Sequence, residues 1–479
     1  MATYYWVGGS GTWDASTTTN WAASSGGAGG AGVPALNDFA VIDGNSGSGT
    51  ITTAAGAICI VVTLNNSNMT ILLGADLTVR DTCILTLGTL DVSSYTLFAK
   101  FFSSSNSNVR TLAFGSGGKI DLTGVSGSVW AVNPTTNMVV NGVSSVVLSA
   151  AGTTSRTINA GSPTEAQAIN FKVAAGTDQI TVYNAVGTLD FTGFAGTWVG
   201  GGLNIYGGLI LSSGITLQAD ANNLSFLGTA GPYNVTCAGK TIDQPVRFAG
   251  VGGSWQFTDT FRHAATRTLT LTAGTLNGNG QNASIGSFAL AAGTKTLALG
   301  SGTWSVVGNW DANTNITGLT VSASTGTINM TSASAKTFAG GAKTWPTLNQ
   351  GGAGALTIQQ SNTFANITNT VQPATITLTA GTTQTVTSFG VSGTAGNLIT
   401  LNSSSAGSQA TLSDSSGANS VSFVSIKDIA AIGGATWNAF VTSGNVDDGN
   451  NTGWDFLVQT GRYMYNVRKA KRILQQGEV

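Results

Sequence analysis

The stretch Thr268-Leu269-Thr270-Leu271-Thr272-Ala273-Gly274-Thr275-Leu276 alternates a β-branched polar residue with an aliphatic one and then breaks at glycine. Successive side chains of a strand point to opposite sides, so this spelling puts leucine on one sheet face and threonine on the other. It returns at Thr375-Ile376-Thr377-Leu378-Thr379-Ala380-Gly381-Thr382-Thr383 and again at Ile84-Leu85-Thr86-Leu87-Gly88-Thr89-Leu90. One face is core and the other meets water. Glycine supplies the corner because it adopts positive φ without steric cost. Threonine suits the outer face: its β-branch fits a pleated surface, and its hydroxyl stays hydrated without building a like-charge ladder between stacked strands.

Repetition also runs at long range. Gly9-Ser10-Gly11-Thr12-Trp13 leads to Asn20-Trp21, and Gly300-Ser301-Gly302-Thr303-Trp304 leads to Asn309-Trp310. Short alternating strands, glycine corners and internal repeats predict an all-β fold, an elongated parallel β-helix (β-solenoid) with aromatic end caps and a short C-terminal basic helix. Roughly 20 coils of 20 to 25 residues, stacked at the strand spacing of about 4.8 Å, would make a rod on the order of 90 Å long. Seven prolines are few, as ladder-paired strands require. The competing reading is a string of tandem β-sandwiches, whose strands also alternate and turn often.

The composition narrows the function classes. With 479 residues, 41% of them hydrophobic, the chain can bury a large core. A net charge of −1 and 8% charged residues give no global electrostatic case for binding nucleic acid or an anionic membrane. No run approaches the roughly 18 to 20 uninterrupted apolar residues of a membrane span. Met1-Ala2-Thr3-Tyr4-Tyr5-Trp6 has no basic and apolar segments of the secretory kind, so the expectation is a product made in a cytoplasm with no signal peptide and kept there until it is assembled or released. Cys59, Cys83 and Cys237 are neither paired in spacing nor clustered as zinc ligands, and read as small buried apolar residues. No cofactor is expected.

The chain divides into four parts on sequence. Residues 1–50 hold an aromatic cluster (Tyr4, Tyr5, Trp6, Trp13, Trp21) and a Gly-rich loop, 51–420 the solenoid body, and 421–460 a C-terminal β cap with Trp437, Phe440, Trp454 and Phe456. Aromatic plugs would cover the exposed edges of the first and last coils. Residues 461–479 form a basic tail with Arg462, Arg468, Lys469, Lys471 and Arg472 against Glu478 alone. Removing those five bases and one acid from the 19 and 20 of the whole chain leaves 14 bases and 19 acids in the body. Tyr463, Val467, Ala470 and Leu474 follow a 4, 3, 4 spacing that lines one face of a helix, with Arg468, Lys469, Lys471 and Arg472 mostly elsewhere. That seam is the candidate assembly or docking site, against this chain's own body, copies of itself in a homotrimer, or another protein.

Residues able to carry chemistry are sparse. His263 is the lone histidine, flanked by Arg262 and Arg267, so no nucleophile, base and orienting acid can be assembled from spacing. Polysaccharide-cleaving solenoids need paired carboxylates, whereas Asp81, Asp91, Asp121, Asp178, Asp190 and Asp220 are dispersed, and only the fold could bring two together. Asn445-Val446-Asp447-Asp448-Gly449-Asn450-Asn451 resembles a calcium loop but lacks the later bidentate glutamate, and reads as a turn. Lys240-Thr241, Lys295-Thr296, Lys336-Thr337 and Lys343-Thr344 each precede an apolar residue, as though an exposed charge stood at the corner entering each strand.

Tyr5-Trp6-Val7-Gly8-Gly9-Ser10-Gly11-Thr12-Trp13-Asp14, Lys336-Thr337-Phe338-Ala339-Gly340-Gly341, and Ile426-Lys427-Asp428 with Gly433-Gly434-Ala435-Thr436-Trp437-Asn438-Ala439 resemble a group of Gly/Thr-rich proteins encoded among the virion genes of tailed bacteriophages. The likeness spans most of residues 1–458 and leaves the basic tail outside. It implies a non-enzymatic structural protein of the virion: a tail fibre or host-attachment adhesin, often trimeric, contacting other virion proteins and a host cell-surface glycan or protein. The alternatives it leaves open are a capsid-surface decoration or cement protein and a tailspike polysaccharide depolymerase. Neither nucleic acid nor membrane is an expected partner.

Overall fold

A computed structural model of the chain describes residues 1–457. Strand takes up 47% and helix 1%, and the strands stack in parallel sheets as a β-solenoid of about 19 turns in all. Sandwiches are ruled out by the pairing, since they join neighbouring strands antiparallel through hairpins. Here the ladders that build the body are parallel, each strand lying beside one from the next coil. Leu356 sits beside Ile376, Ile376 beside Leu401 and Leu401 beside Ile426, partners 20 to 25 residues apart. Parallel pairs need a crossover between them, and the rest of each coil provides it.

The chain forms two compact units, Met1–Gln281 with Gly293–Thr296, and Asn282–Ala292 with Leu297–Val479. In the first, one ladder climbs through Phe39–Ile42, Val61–Leu73, Thr82–Asp91, Phe101–Ser103, Gly127–Ala131, Arg156–Asn159, Gln179–Tyr183 and Thr197–Gly200. A second passes through Thr96–Ala99, Lys119–Leu122, Val146–Leu148, Phe171–Val173 and Leu189–Asp190. A third starts at Ala185–Val186 and runs through Asn204–Ile205, Leu224–Phe226 and Val246–Phe248 to Thr268–Leu271. In the second unit, Lys336–Ala339, Leu356–Gln359, Ala374–Leu378, Ile399–Ser403 and Val424–Lys427 form one ladder. Thr303–Val306, Thr327–Met330, Thr347–Gln350 and Thr363–Asn369 form another.

Register follows the alternation. Leu269 and Leu271 are buried while Thr268 and Thr270 are partly exposed, and Ile376 and Leu378 are buried between Thr375 and Thr377. Thr337, Thr357 and Thr377 then stack as an outer row that continues through Asn402 to Lys427, and the Asn402 Oδ1 accepts from the Thr377 hydroxyl at 2.8 Å. Gly274 makes the expected corner: φ is +75°, and a Cβ there would stand 2.5 Å from the carbonyl oxygens of both Gly250 and Gly253. Inside, aromatic rings stack from coil to coil. Phe288 and Trp310 lie 4.2 Å apart, with Phe338 6.1 Å further on. Phe102 stacks on Trp130 at 4.4 Å.

Near the N-terminus, Trp6, Trp13 and Trp21 are fully buried and meet edge to face, with Trp21 5.0 Å from Trp6 and 5.2 Å from Trp13. Trp21–Ala22 pairs antiparallel with Thr3–Trp6, which covers the free edge of the first parallel ladder. Trp437 and Trp454 meet 5.2 Å apart beside Phe389. The cysteines are buried as read, and burial pushes the Cys83 and Cys237 thiols up to about 12.

The lysine corners come out differently. Lys295 and Lys336 are 1% and 3% exposed and occupy inward strand positions. The Lys336 ammonium donates to the carbonyls of Ser332 (3.0 Å) and Gly354 (2.7 Å), and that of Lys295 to Gly293 (2.8 Å). These lysines fill corners with their stems and satisfy turn carbonyls, so they are core struts, while Lys240 and Lys343 remain partly exposed.

Candidate functional site

The tail residues singled out from sequence, Tyr463, Val467, Arg468, Lys469, Ala470, Lys471, Arg472 and Leu474, lie outside the described residues.

The dispersed carboxylates are placed, and they serve ion pairs, side-chain hydrogen bonds and local turns. Asp178 receives Nε and Nη2 of Arg156 at 2.8 and 2.9 Å, with both side chains fully buried. Asp121 accepts from the Ser149 hydroxyl and lies 3.6 Å from the Lys119 ammonium. Asp190 accepts the Thr192 amide and faces Lys172 at 3.6 Å. Asp91 and Asp220 accept the amides two residues on, from Ser93 and Asn222, in turns of the Asx type. Asp81 holds the amides of Lys100 and Phe101 with its backbone carbonyl. His263 is buried with Nε2 donating to the Gln244 carbonyl at 2.8 Å, and burial holds its pKa below the usual imidazole value. In the loop read as a turn, Asn445 binds the Val424 amide and the Val421 carbonyl, and Asp447 accepts from Gly449 and Asn451. Among the described residues no group of three or more His, Cys, Asp or Glu could hold a metal.

A different place in the first unit gathers exposed polar groups. The coil leaving Arg156–Asn159 does not form a strand on its next side; it bows out through Pro163 and the short 3-10 turn Glu165–Gln167 before rejoining the ladder at Phe171–Val173. Pro163 and the Thr164 cap explain the departure, since one lacks an amide donor and the other prefers to bind its own turn. Thr164 donates from its amide and hydroxyl to Gln167 Oε1, at 3.0 and 3.1 Å. The missing strand leaves two neighbours half-paired: among the described residues Met138–Asn141 pairs only with Arg110–Ala113, and Ala185–Val186 only with Asn204–Ile205.

Two clefts flank the bowed loop. The larger, 440 Å³, runs from Val140 to Tyr206 and Tyr233 past Glu165 and Asn170. The smaller, 360 Å³, is lined by Pro163, Asn184, Asn204 and Tyr206. Tyr206 belongs to both, its hydroxyl donating to the Pro163 carbonyl at 3.3 Å. Glu165 clamps the loop down: its two oxygens accept the Thr229 amide (2.8 Å) and hydroxyl (2.7 Å). Burial, and then the Glu165 charge, hold the phenols of Tyr206 and Tyr233 above the usual tyrosine value, so both remain neutral O–H groups. Asn170 is fixed by Ser144 and Thr188.

This lining offers ring faces, amides and hydroxyls around one carboxylate whose oxygens are both engaged. It is equipped to hold a polyhydroxylated ligand, and Glu165 is the single carboxylate among the described lining residues. Sequence reasoning did not find it. The signal was Glu165, one of only two glutamates, beside Pro163 where the alternation stops.

Comparison with protein-family models, curated proteins and solved structures returns no match for this chain.

Proposed function

We propose that this chain is a non-enzymatic structural protein of a tailed bacteriophage virion, a fibre or host-attachment appendage built on the β-solenoid. The observation that carries the reading is the use of the polar side chains: outer strand positions are rows of threonine and asparagine such as Thr337, Thr357, Thr377 and Asn402, while carboxylates hold turns and ion pairs. Such a body resists deformation through continuous ladders and offers chemistry for recognition, which suits a passive scaffold. The resemblance of the Gly-Ser-Gly-Thr-Trp and Lys-Thr-Phe-Ala-Gly-Gly segments to virion proteins adds the setting. In this reading Gly461 to Val479 anchors the chain to other virion proteins, and copies assemble as a trimer.

The test is immunogold imaging of intact particles with an antibody against residues 461–479 and a second against the solenoid. Labelling of an appendage by the body antibody, with the tail hidden at the particle wall, is the expected result. Labelling spread over the capsid at high copy number would make it a decoration protein instead. Release of oligosaccharide from host capsular or lipopolysaccharide by the purified protein would overturn the non-enzymatic assignment.

A further inference from the structure

We propose that the paired clefts around Tyr206 bind an uncharged saccharide chain. The inference deepens the host-attachment reading and rests on it for its biological meaning. Three observations converge on this place. First, the fold opens here: the side strand is replaced by the bowed loop, leaving 440 and 360 Å³ of space on either side of one aromatic residue. Second, the lining has the composition that sugars select. The rings of Tyr206 and Tyr233 offer apolar faces to C–H groups, and Asn184 and Asn204 can donate and accept toward hydroxyls. Third, no lysine or arginine is among the described residues lining either cleft, and Glu165 adds a negative charge. An anionic saccharide would meet repulsion there with no compensating cation.

An extended peptide fits less well, although two strand edges are open. Gln167 Nε2 already occupies the Met138 carbonyl at 2.7 Å, and the Ile169 carbonyl already takes the Gly187 amide at 2.8 Å. A strand added to either edge would have to displace these bonds. Hydroxyls need no such displacement. The two clefts adjoin through Tyr206, so consecutive sugar units of one chain would straddle its ring.

The full chain is titrated calorimetrically with neutral oligosaccharides (maltohexaose, cellohexaose, mannohexaose and the N-acetylglucosamine tetramer) and with anionic hyaluronan and polygalacturonate oligomers. At least one neutral probe should bind with Kd below ~1 mM, and the anionic probes should not. Tyr206→Ala should weaken that binding at least tenfold, while Tyr206→Phe, which keeps the ring and loses only the bond to Pro163, should stay within threefold. Asn204→Ala, which leaves the loop clamp intact, should weaken it severalfold, so a folding defect at Tyr206 cannot mimic the result. Binding by no neutral probe, preference for the anionic probes, or binding indifferent to both Tyr206→Ala and Asn204→Ala would each overturn the proposal. Because these measurements use isolated protein, absence of the chain from virions would defeat the host-attachment reading while leaving a measured saccharide site standing.

Discussion

Replacing Asp178 by Ala should expose how this solenoid distributes its stability. Arg156 and Asp178 form a bidentate ion pair with both side chains fully buried, and Arg156 also donates to the carbonyls of Ala150 (2.9 Å) and Ala175 (2.7 Å) and lies 6.0 Å from the Phe194 ring. Removing the carboxylate deletes two of the four hydrogen bonds of a buried cation and leaves its charge uncompensated. Breaking a buried pair from one side costs about 3–5 kcal/mol. The two surviving carbonyl bonds place the cost near the lower end, about 3 kcal/mol, or roughly a hundredfold in an opening equilibrium. In a fold where each coil contacts only its neighbours, the loss should stay local.

Amide hydrogen exchange read by mass spectrometry checks both size and place. Protection should fall about a hundredfold in Arg156–Asn159 and its ladder partners Gly127–Ala131 and Gln179–Tyr183, with Phe39–Ile42 of the same unit unchanged. The double change Arg156→Met with Asp178→Leu should recover at least half the loss, since apolar replacement of a whole buried pair is often tolerated. A single-mutant cost below about 1 kcal/mol, or an equal loss of protection at Phe39–Ile42, would refute the argument.

Lys336 should leave a mark on the pH dependence of stability. Desolvation lowers its pKa to about 8 from the ordinary lysine value of 10.5, so between these values the unfolded chain binds more protons and stability rises with pH. Denaturant unfolding followed from pH 7 to 10 should show that rise in wild type relative to Lys336→Met, and parallel curves would exclude it. Gly274→Ala should cost more than ~1 kcal/mol, because positive φ coincides with two carbonyls in the path of the new Cβ. Gly381→Ala, also at positive φ (+72°) but with nothing within 4 Å, should cost less, and urea midpoints compare them. Trp310→Ala removes the ring that stacks on Phe288 and meets Trp345 edge-on at 5.5 Å, and should lower stability by about 3–5 kcal/mol in the same assay.

The degree to which the primary structure exposed this fold differs from place to place. Thr268–Leu271 and Thr375–Leu378 spell out which side chains are buried, because a strand's period of two is a local property. Gly274 likewise announces its corner. The lysines mislead by the same logic: a Lys-Thr pair entering a strand looks solvated, yet Lys336 is carried inward by the register of its ladder with Leu356, a relation between residues 20 positions apart. Glu165 and Tyr206 are separated by still more chain and share a cleft only because one coil omits its side strand.

Sequence alone thus determined the class of fold, the coil length and the two faces of each strand, since these depend on alternation and on residues free to turn. Tertiary structure decided which carboxylates pair, which cations are buried, and where polar side chains meet in a cleft. Those outcomes depend on which coil lies above which, and stacking register is set by the summed burial of whole coils rather than by any short stretch of residues.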